Sequence, residues 1–490
     1  MSLAPLLDII HGQTQGSWKD CNEAAFQALF GSPGGRYPKA AEKRVTLRAP
    51  EMSADSGVPF AAYIDPSNPS SGAYSGLSFV IFPIPGKPCL IGMVVGTQGL
   101  TPDEAILGRP GHARKAQAIC SWLNQEYGRG QFVAWAKQDP TRTDLRIPES
   151  VQLIWPEYKS VFDRYGKEMY AIYCPTADRA GTEAALTAFL DLLFDEREVR
   201  PIANCLASYE AIRAKWFERL MPGVEREQIV DLLAARRYVI VQGPPGTGKT
   251  MAATEILEEV YGDRGRSIQF HPNTTYENFI GGLAPTIAES GIGFHFTPTQ
   301  GSLMRAAAEA LEDPSHDYLL HIDEINRADL GKILGESIFL LEAKSSSQRK
   351  IELPYDFGAP FHRTFFLPKN LHILGTMNSA DRSIAILDVA VRRRFAFVSL
   401  WPRMGVVEQY GCATMQTAFK DLVSIFVEHA ADDSFPLVPG HSYFLESDEA
   451  QAKKSLRVNL APLLEEYLAQ GYVSGFAEPI RGYLQRLPSL

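Results

Sequence analysis

From about residue 235 onward, short β-branched runs alternate with stretches of helical pattern. The runs are YVIVQ (238–242), SIQFH (267–271), YLLHID (318–323), LHILGT (371–376) and FAFVSL (395–400). Five buried strands separated by helices predict a parallel sheet. Beyond Trp401 and Pro402 the pattern becomes helical near 414–430 and 455–469, the latter carrying Leu456, Leu460, Leu463, Leu464 and Tyr467 at helical spacing. A small helical lid is expected there. Residues 1–200 read differently, with extended segments at 77–84 (LSFVIFPI) and 89–96 (CLIGMVVG) set between Pro and Gly clusters at 65–73 and 83–88. Two helical stretches, 181–196 and 204–220, lead from this block into the sheet.

The expected architecture is therefore an α+β N-terminal domain (1–200), a helical linker (201–225), an α/β core with a parallel sheet flanked by helices (226–402), and a helical lid (403–490). A chain of 490 residues is long enough for two or three such units. Hydrophobic residues make up 45% and charged residues 21%, a globular balance that excludes wholesale disorder. The formal charge of −9 argues against a surface that is polyanion-binding throughout, while leaving room for a local basic groove. Six cysteines lie far apart with no CxxC pair, as expected of reduced thiols in a reducing compartment. The opening MSLAPLLDIIHGQTQ has no basic n-region and carries Asp8 inside its apolar run, and no stretch approaches the length of a membrane span. A soluble, cytoplasmic protein without membrane contact is the expectation.

The chemistry concentrates in the second half. Gly243, Pro244, Pro245, Gly246, Thr247, Gly248, Lys249 and Thr250 follow the strand YVIVQ and open the helical stretch MAATEILEEVY, the context that a phosphate-binding P-loop requires. Glycines let backbone N–H groups converge on phosphate oxygens, and the helix N-terminus adds positive potential. Lys249 is expected to reach the β and γ phosphates and Thr250 to offer its hydroxyl to Mg²⁺. The strand YLLHID ends in Asp323, a candidate for the Mg²⁺ shell, followed by Glu324, a candidate base that polarises the attacking water. LHILGTMNSADRS supplies Asn378 beside it, to orient water or the γ-phosphate, with a plain strand cap as the competing view; Asp381 and Arg382 follow as active-site or interface candidates. Arg392, Arg393 and Arg394 precede the last strand, where a guanidinium projecting into a neighbouring subunit's nucleotide would make each site shared between two copies of the chain.

Taken with HPNTTYENFIGGL (271–283), HIDEINRADLGKILGESIFLLE (321–342), GTMNSADRSIAILDVAVRRRFAF (375–397) and GHSYFL (440–445), these motifs resemble the McrB family of AAA+ NTPases over about 235–470. The resemblance implies a hexameric motor that uses GTP or ATP with Mg²⁺, reads DNA through its N-terminal domain and drives an McrC-type nuclease subunit in restriction and antiviral defence. It makes Asn378 the sensor, Asp381 the Asp of the MNxxD string, and Arg393 and Arg394 the finger positions, with Arg392 behind them. GTP is the family's characteristic nucleotide, yet no NKxD-type guanine-reading motif is present in this sequence. A MoxR-like chaperone acting on a protein client is the alternative.

Other features carry weaker expectations. Tyr276, Phe279 and Leu283 stand where such rings build a pore loop, and packing is an equal reading. Residues 343–370 suggest a hairpin presenting Arg349, Lys350 and Arg363. In the N-terminal block, Tyr74, Phe79, Phe82, Trp122, Trp135 and Trp155 are candidates to stack on a flipped base or, more ordinarily, to fill a core. Arg109, His112, Arg114 and Lys115 in a Gly-rich stretch suggest a phosphate-contacting edge. Arg457 falls in the lid with nothing in the sequence to aim it at the nucleotide.

Overall fold

The computed structural model describes residues 3–31, 33–50, 57–287, 294–342, 348–380 and 387–487. The chain divides into two compact units, one formed mainly by Met1–Met221 and the other mainly by Pro222–Leu490.

The first unit is built on a six-stranded antiparallel sheet: β1 (Thr46–Arg48), β2 (Ala61–Ile64), β3 (Leu77–Ile84), β4 (Lys87–Val95), β5 (Ala134–Ala136) and β6 (Met169–Tyr173), in the spatial order β1-β2-β3-β4-β6-β5. β3 and β4 are the two extended runs expected from sequence, joined by a tight turn because Gly86 takes a positive φ of 70°. Apolar side chains cover both faces of the sheet: Phe79, Ile81 and Met93 belong to one core and Val80, Phe82 and Val94 to the other. The helices Pro110–Tyr127 and Arg179–Asp195 pack on the first of these faces, which explains why the second of them is buried along nearly its whole length.

The second unit contains a five-stranded, wholly parallel sheet of β7 (Tyr238–Gly243), β8 (Gly265–Gln269), β11 (Tyr318–Asp323), β14 (Leu371–Asn378) and β15 (Ala396–Ser399). An antiparallel hairpin of β9 (Gly281–Ile287) and β10 (Phe294–Gln300) is inserted between β8 and β11, and a minimal one of β12 (Ile351–Glu352) and β13 (Thr364–Phe365) between β11 and β14. The order β15-β7-β14-β11-β8 places β7 and β11 on either side of β14, so the loops leaving these three strands gather at one edge. Register aligns them: Asn378 pairs with Gly243, Ile322 with Gly375 and Asp323 with Gln269. The central strands are buried because helices cover both faces, and two separate cores flank the sheet. Helices Met404–Tyr410, Ala413–His429, Glu449–Ser455, Ala461–Ala469 and Ala477–Arg486 follow the sheet. Among the described residues no helix is long and apolar enough to cross a membrane.

Candidate nucleotide site

The loop between β7 and the helix Lys249–Ile256 turns through three glycines with positive φ: Gly243 (159°), Gly246 (81°) and Gly248 (80°). Gly248 is the left-handed residue immediately before the helix, so the backbone N–H groups at the helix start face outward, unpaired, for an anion. Thr247 Oγ1 donates to the Pro244 carbonyl at 3.0 Å, and Lys249 Nζ donates to the same oxygen at 2.6 Å, drawing the ammonium over the loop. Burial pulls Lys249 down to about 8, against the opposing pull of Glu324 and Asp323. A phosphate group is the partner that would restore its full charge.

Thr250 and Asp323 are 73 residues apart in sequence and meet at 3.1 Å, the hydroxyl donating to Oδ1. A hydroxyl and a carboxylate beside a phosphate loop form a hard oxygen set of the kind Mg²⁺ takes. Offering two protein oxygens, the set suits an ion that takes its remaining ligands from phosphate and water. Thr376, at the level of Asp323 on β14, donates its hydroxyl to Asp323 Oδ1 and accepts the Glu324 N–H at 3.3 Å.

Glu324 itself adopts a left-handed backbone, φ 52°, which costs a non-glycine residue about 1 kcal/mol or more. Its Oε2 lies 3.4 Å from Arg327 Nε, is buried, and makes no hydrogen bond. A strained carboxylate with an unmatched acceptor at the end of a central strand has what a water-orienting base needs. Asn378 stands at the same edge, where its Oδ1 accepts the Ala380 N–H at 3.0 Å, so the side chain does cap its own strand end and has its amide N–H₂ left to serve as a donor. Asp381 and Arg382 lie outside the described residues.

The arginines sit elsewhere. β15 starts level with Val239 of β7, so Arg392, Arg393 and Arg394 are at the opposite end of the sheet from Gly243. Arg394 Nη1 donates to the Ala390 carbonyl at 2.6 Å, and Arg392 lies over the Phe397 ring. Arg393 is exposed and engages no described side chain. The structure thus brings together the P-loop, Asp323, Glu324 and Asn378, and separates Arg393 and Arg394 from them.

Beside the loop opens a cavity of about 560 Å³, bounded by Val224, Glu225, Thr247, Met251, Tyr410 and His441 among others, of a size that holds a nucleoside. Thr376, Arg327, Arg403 and His441 were not among the sequence candidates. The string GHSYFL contains His441, but nothing in the string itself says that it folds onto the P-loop.

Several weaker expectations are altered. Phe279 is a core residue set edge-to-face on Phe270, and Tyr276 donates to Glu336, so of that trio only Leu283, on β9, is exposed. Arg349 lies against the Phe339 ring and pairs with Glu342, and Lys350 lies over Phe366. Arg457 is exposed. Phe79 and Trp122 fill the core of the first unit, Trp155 stacks on Phe132, and Trp135 packs on the second core. Tyr74 and Phe82 belong to the same second core and also line a cavity of about 200 Å³ with Phe60, Arg164 and Tyr165. His112 and Lys115 are not a phosphate edge: both are buried in the helix Pro110–Tyr127 and, with Arg109, surround the carboxylate of Glu196. Burial raises that carboxyl, but the three cationic or donor neighbours outweigh it and hold it below the usual carboxylate range.

The AAA domain (dynein-related subfamily) matches residues 238–395. The chain is 31% identical over 353 residues to the Type IV methyl-directed restriction enzyme EcoKMcrB subunit of Escherichia coli (strain K12), covering 66% of this chain and 75% of that one. It is 27% identical over 196 residues to the Type II restriction enzyme BsuMI component YdiS of Bacillus subtilis (strain 168), covering 33% and 56%. A solved structure of NtrX from Brucella abortus aligns at a TM-score of 0.23 and 13% identity over 58% of this chain and 56% of that one, too loose a likeness to bear on the fold. By its P-loop site, its AAA domain and its similarity along most of the McrB subunit, the chain belongs to the McrB family of AAA+ NTPases.

Proposed function

We propose that this protein is the nucleotide-driven motor of a modification-dependent restriction system. It hydrolyses GTP or ATP in a cytoplasmic ring of six copies, selects DNA through its N-terminal unit, and drives a separate McrC-type nuclease. The observation that carries the hydrolytic part is the convergence at one sheet edge of Lys249, Thr250, Asp323 and the strained Glu324.

In this reading the P-loop backbone and Lys249 hold the β and γ phosphates, and Thr250 and Asp323 hold Mg²⁺. An ion held there would supply neutralising charge for the transferring phosphoryl group. Glu324 orients the attacking water, with its backbone held by Thr376 and its carboxylate beside Arg327. Asn378 donates to the water or the γ-phosphate. Arg393 acts on the neighbouring copy's nucleotide, because its place at the far end of the sheet keeps it from its own.

The test is steady-state hydrolysis of GTP and ATP side by side, with and without DNA and an McrC-type nuclease. GTP turnover stimulated by the nuclease supports the motor. ATP turnover indifferent to DNA and nuclease would replace it with the chaperone reading.

A further inference from the structure

Just after the lid begins to fold back, residues 440–444 press directly on the P-loop. The Gly440 N–H donates to the Pro245 carbonyl at 2.8 Å and the Ser442 N–H to the Gly246 carbonyl at 3.0 Å. The two backbones are so close that a Cβ on Gly440 would lie 2.0 Å from the Gly246 carbonyl carbon and 2.5 Å from the Thr247 nitrogen, so only glycine fits. Phe444 anchors the short turn from beneath, fully buried and edge-on to Phe419. Two main-chain hydrogen bonds therefore bracket His441 and fix it against the loop.

The imidazole is oriented as well as anchored. His441 Nδ1 accepts the backbone N–H of Arg403 at 3.3 Å, which places the proton of the neutral ring on Nε2. Burial, reinforced by the nearby Arg403 guanidinium, pulls His441 down to about 4, so the ring is neutral at physiological pH. Nε2 is directed at the P-loop, 3.9 Å from where a Cβ on Gly248 would stand, and it has no hydrogen-bond partner among the described residues. The same side chain lines the cavity beside Thr247 and Met251. A nucleotide with its phosphates on Gly246–Thr250 and its base toward Val224 and Tyr410 must run its sugar and α-phosphate past this point.

We propose that His441 is a nucleotide-contacting residue, its Nε2–H donating to an oxygen at the junction of ribose and α-phosphate, and that through the Gly440–Ser442 clamp it ties the lid segment to the occupied loop. The proposal rests on the NTPase reading. It adds a contact outside the P-loop and the acidic end of β11, and makes the lid sensitive to whether the loop is filled.

Calorimetric titration of the full chain with GDP and with ADP tests it. His441→Leu, which keeps bulk but removes the donor, is expected to weaken binding about tenfold, the worth of one hydrogen bond to a phosphate or sugar oxygen. His441→Gln, whose amide nitrogen can occupy the place of Nε2, is expected to stay within about threefold of the parent. Repeating the titration with 2′-deoxy and 3′-deoxy nucleotides separates the acceptors. A ribose hydroxyl acceptor makes the parent discriminate against one deoxy form and the Leu variant not, whereas a phosphate acceptor leaves the discrimination unchanged. Folded His441→Leu protein that binds as tightly as the parent overturns the proposal. Should that variant not fold, the ¹⁵N-histidine spectrum of the parent decides: the Nε2–H resonance absent from His441→Gln must shift on adding GDP or ADP, and a resonance that stays put overturns it. Lys249→Ala is the control. If it too binds normally, the NTPase reading itself fails; if it abolishes binding while His441→Leu does not weaken it, only the present proposal fails.

Discussion

Replacing Arg393 by Ala is expected to leave nucleotide binding intact and to remove turnover if, as proposed, its action falls on another copy's site. The register gives the reason. Ala396 pairs with Val239, four residues before Gly243, so about 13 Å of strand separates the base of β15 from the P-loop, and Arg393 lies further back still. That is more than an arginine side chain spans, so the residue cannot serve its own P-loop. In phosphoryl-transfer sites that use such a guanidinium, its loss costs about 10³- to 10⁵-fold in kcat. The decisive assay mixes Arg393→Ala with Lys249→Ala, each nearly inactive alone. A working site needs an intact P-loop from one copy and an intact Arg393 from the next, and random equal mixing provides this at half times half, or about one quarter, of the interfaces in a closed heterologous ring. The mixture should therefore recover about a quarter of parental turnover per site if sites act independently. Activity equal to the sum of the separate variants would refute action across the interface, and an active Arg393→Ala protein would refute the role altogether.

Glu324→Gln should bind nucleotide as the parent does and lose about 10²- to 10⁴-fold in kcat in a hydrolysis assay, since the amide can hold the geometry but not take the proton; normal turnover would remove Glu324 from the mechanism. Lys249→Met should raise the melting temperature of the nucleotide-free protein while abolishing binding, because a half-buried ammonium drawn down to about 8 makes the loop less stable by roughly 1–2 kcal/mol after allowing for solvent. An unchanged or lowered melting temperature would count against that cost. His441 has a folded value of about 4 against 6.5 unfolded, so its contribution to stability is intact above pH 6.5 and is lost as the pH falls toward 4. Between pH 7 and pH 5 this amounts to about 2 kcal/mol, and thermal unfolding of His441→Gln should show a smaller acid shift than the parent.

The parallel sheet was legible because its strands are short and separated by helical pattern, and its three central strands are buried on both faces. The site residues that end those strands, Lys249 with Thr250, then Asp323, Glu324 and Asn378, could be placed by order alone. What escaped is of two kinds. The β9–β10 hairpin runs through GGLAPTI and FHFTPTQ, where Gly, Pro and Thr leave no alternating apolar face, so periodicity had nothing to register. Thr376, Arg403 and His441 acquire their places only through tertiary contacts, Arg403 and His441 meeting across 38 residues of sequence. The basic stretch at 109–115 misled for the converse reason. Its glycines suggested an exposed loop, whereas it enters a helix and its charges meet Glu196, more than 80 residues away.

Two side chains of the site are held at a cost. Lys249 keeps an ammonium where burial disfavours the charge, and Glu324 keeps a left-handed backbone and a buried oxygen without a hydrogen bond. The protein's own groups relieve these costs only in part: Glu324 and Asp323 pull Lys249 back toward its charged form while the Pro244 carbonyl is its one hydrogen-bond acceptor among the described residues, and Arg327 stands 3.4 Å from the Glu324 carboxylate without hydrogen-bonding it. A triphosphate supplies the negative charge that the first lacks, and a bound water the donor that the second lacks. Part of the binding free energy is therefore spent at the reacting centre, where it aligns lysine, water and carboxylate, and less of it remains as affinity. A loop in this condition should bind its nucleotide only moderately and respond strongly to what completes it, the part proposed above for Arg393 of a neighbouring copy.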